Sequence, residues 1–404
     1  MSKTVFISYF YVGLILLEGP LVAIFGIRGI HYIVEALMIV SIFIYGNENQ
    51  FKKVFASTPI IIWFLWVLYS LVNWYFFQAI TPNERGNLSD MNFIVRKCIS
   101  PLFLMIITYF EGSRNQTKFI RFLLIILAIY LVIGMTFQTA ASDVSERGGE
   151  YLGNALPLTG CVLSFVVFLA YSKKDVPFWV FVVLSALALI SIFFGATRKA
   201  FGAWIILVLF YILGKYNLRD PKKIIMIILI GFAGYYFIDY VMENTIVGMR
   251  MNMIEDASSR YDIGDNRFLK FMGDRAFFYL FGWDLFLEHP INGIGLTNFP
   301  VYTNTELAIH SEYMTQLCEC GIIGSFLYLT FNLSIIYPII KSFKDMPFTV
   351  VVVCFGGLMS ILFISFFSWT YSISRYFLMY GIILSTCRPI LSLENFNNSN
   401  NYSI

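Results

Sequence analysis

Charge is what this sequence has least of. Only 13% of its 404 residues are Asp, Glu, Lys or Arg, about half the usual share for a soluble domain. That deficit excludes a soluble globular enzyme and a disordered regulator, since both need a charged, water-facing surface. Histidine is scarcer still, with three in the chain: His31, His289 and His310. Six cysteines (Cys98, Cys161, Cys318, Cys320, Cys354, Cys387) are too few for a disulfide scaffold of this length. Cys318 and Cys320 have a C-x-C spacing, but no second Cys or His pair nearby completes a zinc site. All six sit in or beside apolar runs and read as small buried residues. The first apolar run has no basic leader and no small-x-small cleavage site, so it is expected to stay as a span. A formal charge of +3 offers nucleic acid nothing to hold.

Apolar and aromatic residues fill the space that charge leaves. They make up 58% and 18% of the chain, led by 42 Phe and 25 Tyr, with a mean hydropathy of +0.73. A membrane helix needs about 20 apolar residues. Runs of that kind predict twelve spans: Phe6–Phe25, Gly29–Tyr45, Pro59–Ile80, Lys97–Tyr109, Phe119–Phe137, Leu152–Tyr171, Pro177–Ala196, Ala200–Leu213, Ile224–Met242, Tyr313–Ile340, Phe348–Phe367 and Ser372–Cys387. The expected fold is therefore an all-α polytopic membrane protein, with residues 1–391 forming one transmembrane domain. A long stretch, Glu243–Ile309, separates the ninth span from the tenth, and residues 392–404 read as a disordered tail.

Short-loop Lys and Arg orient such a chain. Alternate loops carry Lys52 and Lys53; Arg114, Lys118 and Arg121; Lys173 and Lys174; Lys215, Arg219, Lys222 and Lys223; and Lys341 and Lys344. Lys3 and Arg388 fall on the same side, which is expected to be cytoplasmic, as are both termini. That face holds eleven Lys and four Arg. The other holds ten Arg (28, 85, 96, 147, 198, 250, 260, 267, 275, 375) and only Lys97, Lys199 and Lys270. Topology needs only positive charge, whereas Arg adds a rigid fork that grips phosphate or carboxylate through two parallel bonds. An Arg-rich outer face therefore points to an anionic ligand, against the plainer reading of arginines snorkelling to water.

Three outer segments stand out. Arg198 lies in Phe193-Phe-Gly-Ala-Thr-Arg-Lys-Ala-Phe-Gly202, a polar pinch too short to leave the membrane surface, and Lys199 beside it reads as an interfacial anchor. Residues 275–288, from Arg275 to Glu288, are mostly aromatic and aliphatic and predict a helix lying in the interface, with Asp284 and Glu288 on its polar side. Gly293 and Gly295 follow, where a tight turn or close backbone approach is expected rather than a phosphate cradle. His310 opens His310-Ser-Glu-Tyr-Met-Thr-Gln-Leu-Cys-Glu319-Cys-Gly-Ile-Ile-Gly324. Its unperturbed pKa near 6.5 suits a proton carrier, and Glu306 lies one helical turn before it. No further ligand stands at metal spacing, so no catalytic metal and no cofactor are expected.

These segments, in this order, resemble the O-antigen ligase superfamily, which also contains O-antigen, capsule and exopolysaccharide polymerases. The likeness rests on Thr197-Arg198-Lys-Ala, on Arg275 with Phe286-Leu-Glu-His-Pro290-Ile-Asn-Gly-Ile-Gly-Leu-Thr-Asn-Phe299, and on His310-Ser-Glu-Tyr with Glu319-Cys-Gly-Ile-Ile-Gly324. It covers roughly residues 190–330; the first half is similar in hydropathy and span count alone.

The resemblance implies a metal-independent, inverting glycosyltransferase of the C-type membrane fold in a bacterial inner membrane, with its site on the periplasmic face. Its substrates would be sugars on undecaprenyl diphosphate. Arg198 and Arg275 would hold the diphosphate, and His310 would act as base on the acceptor hydroxyl. Glu306, Glu312, Arg147 and Arg267 are supporting candidates. Two positions depart from the family: Ser311 stands where Asn is common, and Tyr279, with Trp283 a turn later, replaces a usual Trp.

A polymerase is preferred to a ligase, because nothing in the sequence forms a broad basic surface for a heavily phosphorylated lipid A core. The partners implied are the lipid-linked glycan, an acceptor glycan or core, membrane lipid and a chain-length regulator. A polysaccharide transporter or flippase is the rival from another class. It would need repeated halves or polar residues along a whole path, and the ionisable residues here gather at span ends.

Overall fold

The computed structural model describes residues 3–25, 53–80, 98–139, 155–194, 197–216, 276–303, 309, 311–368 and 374–388. Every regular element among them is helical: α1 (Lys3–Phe25), α2 (Thr58–Ile80), α3 (Ser100–Thr139), α4 (Ala155–Ser172), α5 (Phe178–Phe194), α6 (Arg198–Lys215), α7 (Ala276–Glu288), α8 (Phe299–Thr303), α9 (Glu312–Ser342), α10 (Phe348–Ser365) and α11 (Ser374–Cys387). Five of them are long and apolar enough to cross a membrane: α2, α3, α4, α9 and α10. The chain is an all-α, multi-pass membrane protein. Two of the expected spans, Gly29–Tyr45 and Ile224–Met242, lie outside the described residues, as does the expected tail 392–404.

The fourth and fifth expected spans are the two limbs of α3. Asn115 interrupts it with extended backbone (φ −153°, ψ 80°), and the Asn115 Oδ1 accepts from the Lys118 amide at 3.2 Å. Asn115 thus N-caps the second limb while ending the first, as a short polar side chain does at a helix start.

That turn belongs to the basic end of the bundle. Lys173 donates to Gln116, and Gln116 to Thr386. The Thr117 hydroxyl meets Asp175 Oδ1 at 2.9 Å, and Ser342 Oγ donates to the Cys387 carbonyl at 2.8 Å. The loops that carry Arg114, Lys118, Arg121, Lys173, Lys174 and Arg388 therefore meet at one end, as the charge pattern requires.

Lipid tails are as apolar as leucine, so helices in a membrane associate through close packing and shared hydrogen bonds rather than escape from water. The centre shows both. Trp63 and Trp66 of α2 stack at 4.5 Å, and Trp63 meets Phe331 of α9 and Phe377 of α11, each at 4.7 Å. The Tyr380 hydroxyl donates to Asn332 Oδ1 at 3.0 Å, fully inside. On α9 the exposed residues Ile322, Phe326, Leu329, Leu333, Tyr337 and Ile340 recur every three or four positions. They form a single apolar stripe suited to lipid.

Candidate functional site

The other end of the bundle carries the unusual backbone. Helix α9 is broken at Gly321, whose φ of +64° and ψ of −163° only glycine adopts without strain. A break in a membrane helix frees carbonyls and amides that lipid cannot satisfy. Here the segment after α7 takes up the freed groups. The amides of Ile294 and Gly295 donate to the carbonyls of Cys318 (2.9 Å) and Glu319 (3.0 Å), and the amides of Ile322 and Ile323 donate to the carbonyls of Pro290 (2.8 Å) and Ile291 (3.4 Å). Residues 290–295 act as a splint across the break.

The splint lies so close that side chains are excluded. A Cβ on Gly321 would stand 2.3 Å from the Ile291 carbonyl oxygen, and one on Gly293 (φ +71°) would stand 2.4 Å from the Glu319 carbonyl carbon. The expected close backbone approach at Gly293 is met, and the partner is α9.

A second clamp comes from α2. Asn73 Nδ2 donates to the carbonyls of Asn292 (2.9 Å) and Glu319 (3.1 Å), and the Tyr69 hydroxyl donates to the Cys320 carbonyl at 2.7 Å. One turn away the Trp66 indole donates to Gln316 Oε1, whose amide donates to Glu312 Oε1, both at 2.8 Å. The sequence reading passed over these α2 residues. Their signal is the spacing Trp66, Tyr69, Asn73, three polar-tipped side chains along one face of an otherwise apolar span.

The Glu319 side chain points the other way and holds the chain leading to residue 310. Its two oxygens accept from the amides of Thr297 (3.0 Å) and Phe299 (3.3 Å), where α8 begins. Glu319 is 4% exposed. Glu319→Ala leaves two amides without an acceptor, at a cost of about 1–3 kcal/mol each. The expected result is a lower melting temperature in detergent and faster proteolysis between residues 297 and 303. Glu288→Ala, at an exposed position, is expected to change neither.

A small core backs this segment. Phe278 and Leu285 of α7 join Ile294, Phe299, Ile309, Met314 and Cys318. The helix expected over residues 275–288 is present as α7: Phe278, Gly282 and Leu285 face inward, while Leu280, Trp283, Asp284, Leu287 and Glu288 are exposed. Cys318 and Cys320 are buried free thiols, as expected. His289 serves packing, its ring edge-on to Tyr302 at 6.1 Å.

His310 itself lies outside the described residues, but both neighbours are placed. Ile309 is buried at 1% exposure. Ser311 is the N-cap of α9, its hydroxyl accepting from the Met314 amide at 3.4 Å. That accounts for the departure at Ser311, because Ser and Asn are equivalent N-caps. Glu312 is fully buried and bonded to Gln316. Arg147, Arg267, Arg275 and Glu306 lie outside the described residues, and of Arg198 the structure places the backbone, as first residue of α6.

Three described residues, Lys199, Tyr279 and Tyr313, meet at one turn, Phe366–Ser368, after α10. Lys199, next to Arg198, donates to Ser368 Oγ at 3.1 Å, a specific tie rather than a loose anchor. Tyr279, four residues after Arg275, donates to the Phe366 carbonyl. Tyr313, three residues after His310, packs its ring at a tilt against Phe366, centroids 4.6 Å apart, and donates to the Leu362 carbonyl at 3.0 Å. The Tyr that replaces the expected Trp thus has a hydroxyl with a use.

Compared with known families, residues 183–329 match the O-antigen ligase family. The match runs from α5 into α9 and leaves α2, with its clamp, outside it. No curated protein matches the chain.

Proposed function

We propose that this chain, whose residues 183–329 match the O-antigen ligase family, joins undecaprenyl-diphosphate-linked repeat units into O-antigen or capsular polysaccharide. The reaction is an inverting, metal-independent glycosyl transfer at the outer face of the bacterial inner membrane. In this reading residues 1–391 form one transmembrane domain and both termini are cytoplasmic. The observation that supports the reading is the splinted break in α9, whose first turn meets, through Tyr313, the same turn that Lys199 of α6 and Tyr279 of α7 reach. Strained backbone at membrane depth persists where it serves a site.

The chemistry follows from charge. The bond between the anomeric carbon and the diphosphate oxygen breaks, and negative charge grows on that oxygen. Arg198 and Arg275 hold the diphosphate, and donors set in place beforehand stabilise this charge without reorganising. On the opposite face the acceptor hydroxyl attacks the anomeric carbon and gives its proton to His310. Undecaprenyl diphosphate leaves, and the anomeric configuration inverts. Glu306, Glu312, Arg147 and Arg267 support the site. Glu312 does so through Gln316 and Trp66, which hold the first turn of α9 against α2.

Arg198→Lys keeps the charge and loses the fork. It is expected to slow product formation about a hundredfold or more, measured on purified protein with a lipid-linked repeat unit. An unchanged rate would return Arg198 to a snorkelling role.

Polymerase and ligase differ in acceptor, a second lipid-linked unit against lipid A core. A strain deleted for the gene separates them on a gel of surface polysaccharide. Core bearing a single repeat unit is the polymerase result, and a chain-length regulator would then set the ladder that the wild-type gene restores. Bare core with polymer left on the carrier lipid marks a ligase.

A further inference from the structure

Arg375 is the second residue of α11. Its guanidinium carbon lies 4.8 Å from the centre of the Tyr130 ring on α3, and its Nε is buried without a hydrogen-bond partner. Two phenols share that condition. Tyr130 and Tyr376 are each 0% exposed, and among the described residues neither hydroxyl has a partner.

The depth of this group makes it costly. Tyr130 precedes the end of α3 at Thr139 by nine residues, so the contact lies about 13 Å below that end at 1.5 Å per residue. Twelve residues separate Arg375 from Cys387 at the basic end, about 18 Å by the same rise. A charged side chain at such depth pairs with an anion or lines a polar cavity, and among the described residues Arg375 pairs with no carboxylate. The Tyr130 ring covers one face of the guanidinium and leaves its in-plane donors for something else.

The place is also telling. Tyr376 lies near Cys161 of α4 as well as near Arg375, and Cys161 Sγ donates to the Ala200 carbonyl at 3.1 Å. Ala200 is two residues after Arg198. Tyr376 therefore lies near the first turn of α6, which Arg198 begins.

We propose that Arg375, with the hydroxyls of Tyr130 and Tyr376, forms a phosphate-binding subsite for the lipid-linked donor. The assignment of that phosphate to the donor rests on the glycosyl-transfer reading above. Bulk phospholipid could offer the same chemistry, but its phosphates stay outside a hydrocarbon core about 30 Å thick. The subsite lies well below the end of α3, where a phosphate arrives only if a cavity admits it.

Binding to the full chain in detergent tests this, with undecaprenyl diphosphate and phosphatidylglycerol as separate probes. Arg375→Gln is expected to weaken undecaprenyl diphosphate by on the order of tenfold to a hundredfold, the worth of hydrogen bonds to a charged group. Tyr376→Phe removes one oxygen atom and keeps the packing; it is expected to weaken the same probe several-fold at an unchanged melting temperature. Phosphatidylglycerol binding stays level in both. Unaltered affinity for undecaprenyl diphosphate in both variants overturns the subsite, and equal weakening of both lipids overturns its assignment to the donor. Because the readout is binding without bond formation, failure of the glycosyl-transfer reading would show instead as a normal glycan ladder from a His310→Ala strain.

Discussion

His310→Ala is expected to abolish polymer formation while the protein still inserts, melts at the wild-type temperature and binds lipid-linked donor. A general base contributes about 10²–10⁴ in rate, enough to erase a ladder on a gel. The expectation for stability rests on the flanking residues. The segment around residue 310 is held by its neighbours: Ile309 in the small core, Ser311 as the N-cap, and Thr315 Oγ1 on the Ser311 carbonyl at 2.7 Å. None of these contacts uses the side chain at 310. His310→Gln is expected to behave like Ala, because Gln keeps polarity and volume but takes no proton at neutral pH. A normal ladder from either variant would remove His310 from the chemistry.

Gly321→Ala is expected to cost nearly as much through a different route. The new Cβ would fall 2.3 Å from the Ile291 oxygen and 2.6 Å from the Gly293 nitrogen, and the backbone there has φ +64°. Strain of this kind costs about 1–3 kcal/mol before the clash is counted. The cheapest relief is to straighten α9, so that its own carbonyls and amides pair across the break. The splint is then released, and with it the Glu319 contacts that lead toward residue 310. Displacing a reacting group by about 1 Å can cost a hundredfold, so activity should fall at least that far with membrane insertion intact. Hydrogen exchange at Ile294 and Gly295, whose amides lose their acceptors, should quicken together with the loss. Full activity with slow exchange at those amides would mean that the splint is not what positions the site.

The helices were legible because membrane spans announce themselves by length alone. Phe348–Ser365 holds no charged residue, and even the turn at Asn115 shows as a polar gap between two apolar runs. The helix Ala276–Glu288 was equally plain. Gly293 could be read as a place of close approach. What it approaches could not, because the partner is backbone 26 residues later, at Glu319, and backbone carries no signature in sequence. The α2 clamp was hidden by distance too: Asn73 and Glu319 are 246 residues apart, although Trp66, Tyr69 and Asn73 share one helix face. Residues 190–330 suggested a family by their motifs. Tyr69 and Asn73 sit outside every motif, yet they fasten the same break.

Purified full-length protein, given a synthetic undecaprenyl-diphosphate-linked repeat unit in the presence of EDTA, tests the central claim most directly. Mass spectrometry should find two or more repeat units on one carrier, with one undecaprenyl diphosphate released for each new glycosidic bond, and neither product with His310→Ala. Recovery of the lipid-linked unit unchanged, or its movement across a vesicle bilayer with no new bond, would contradict the account.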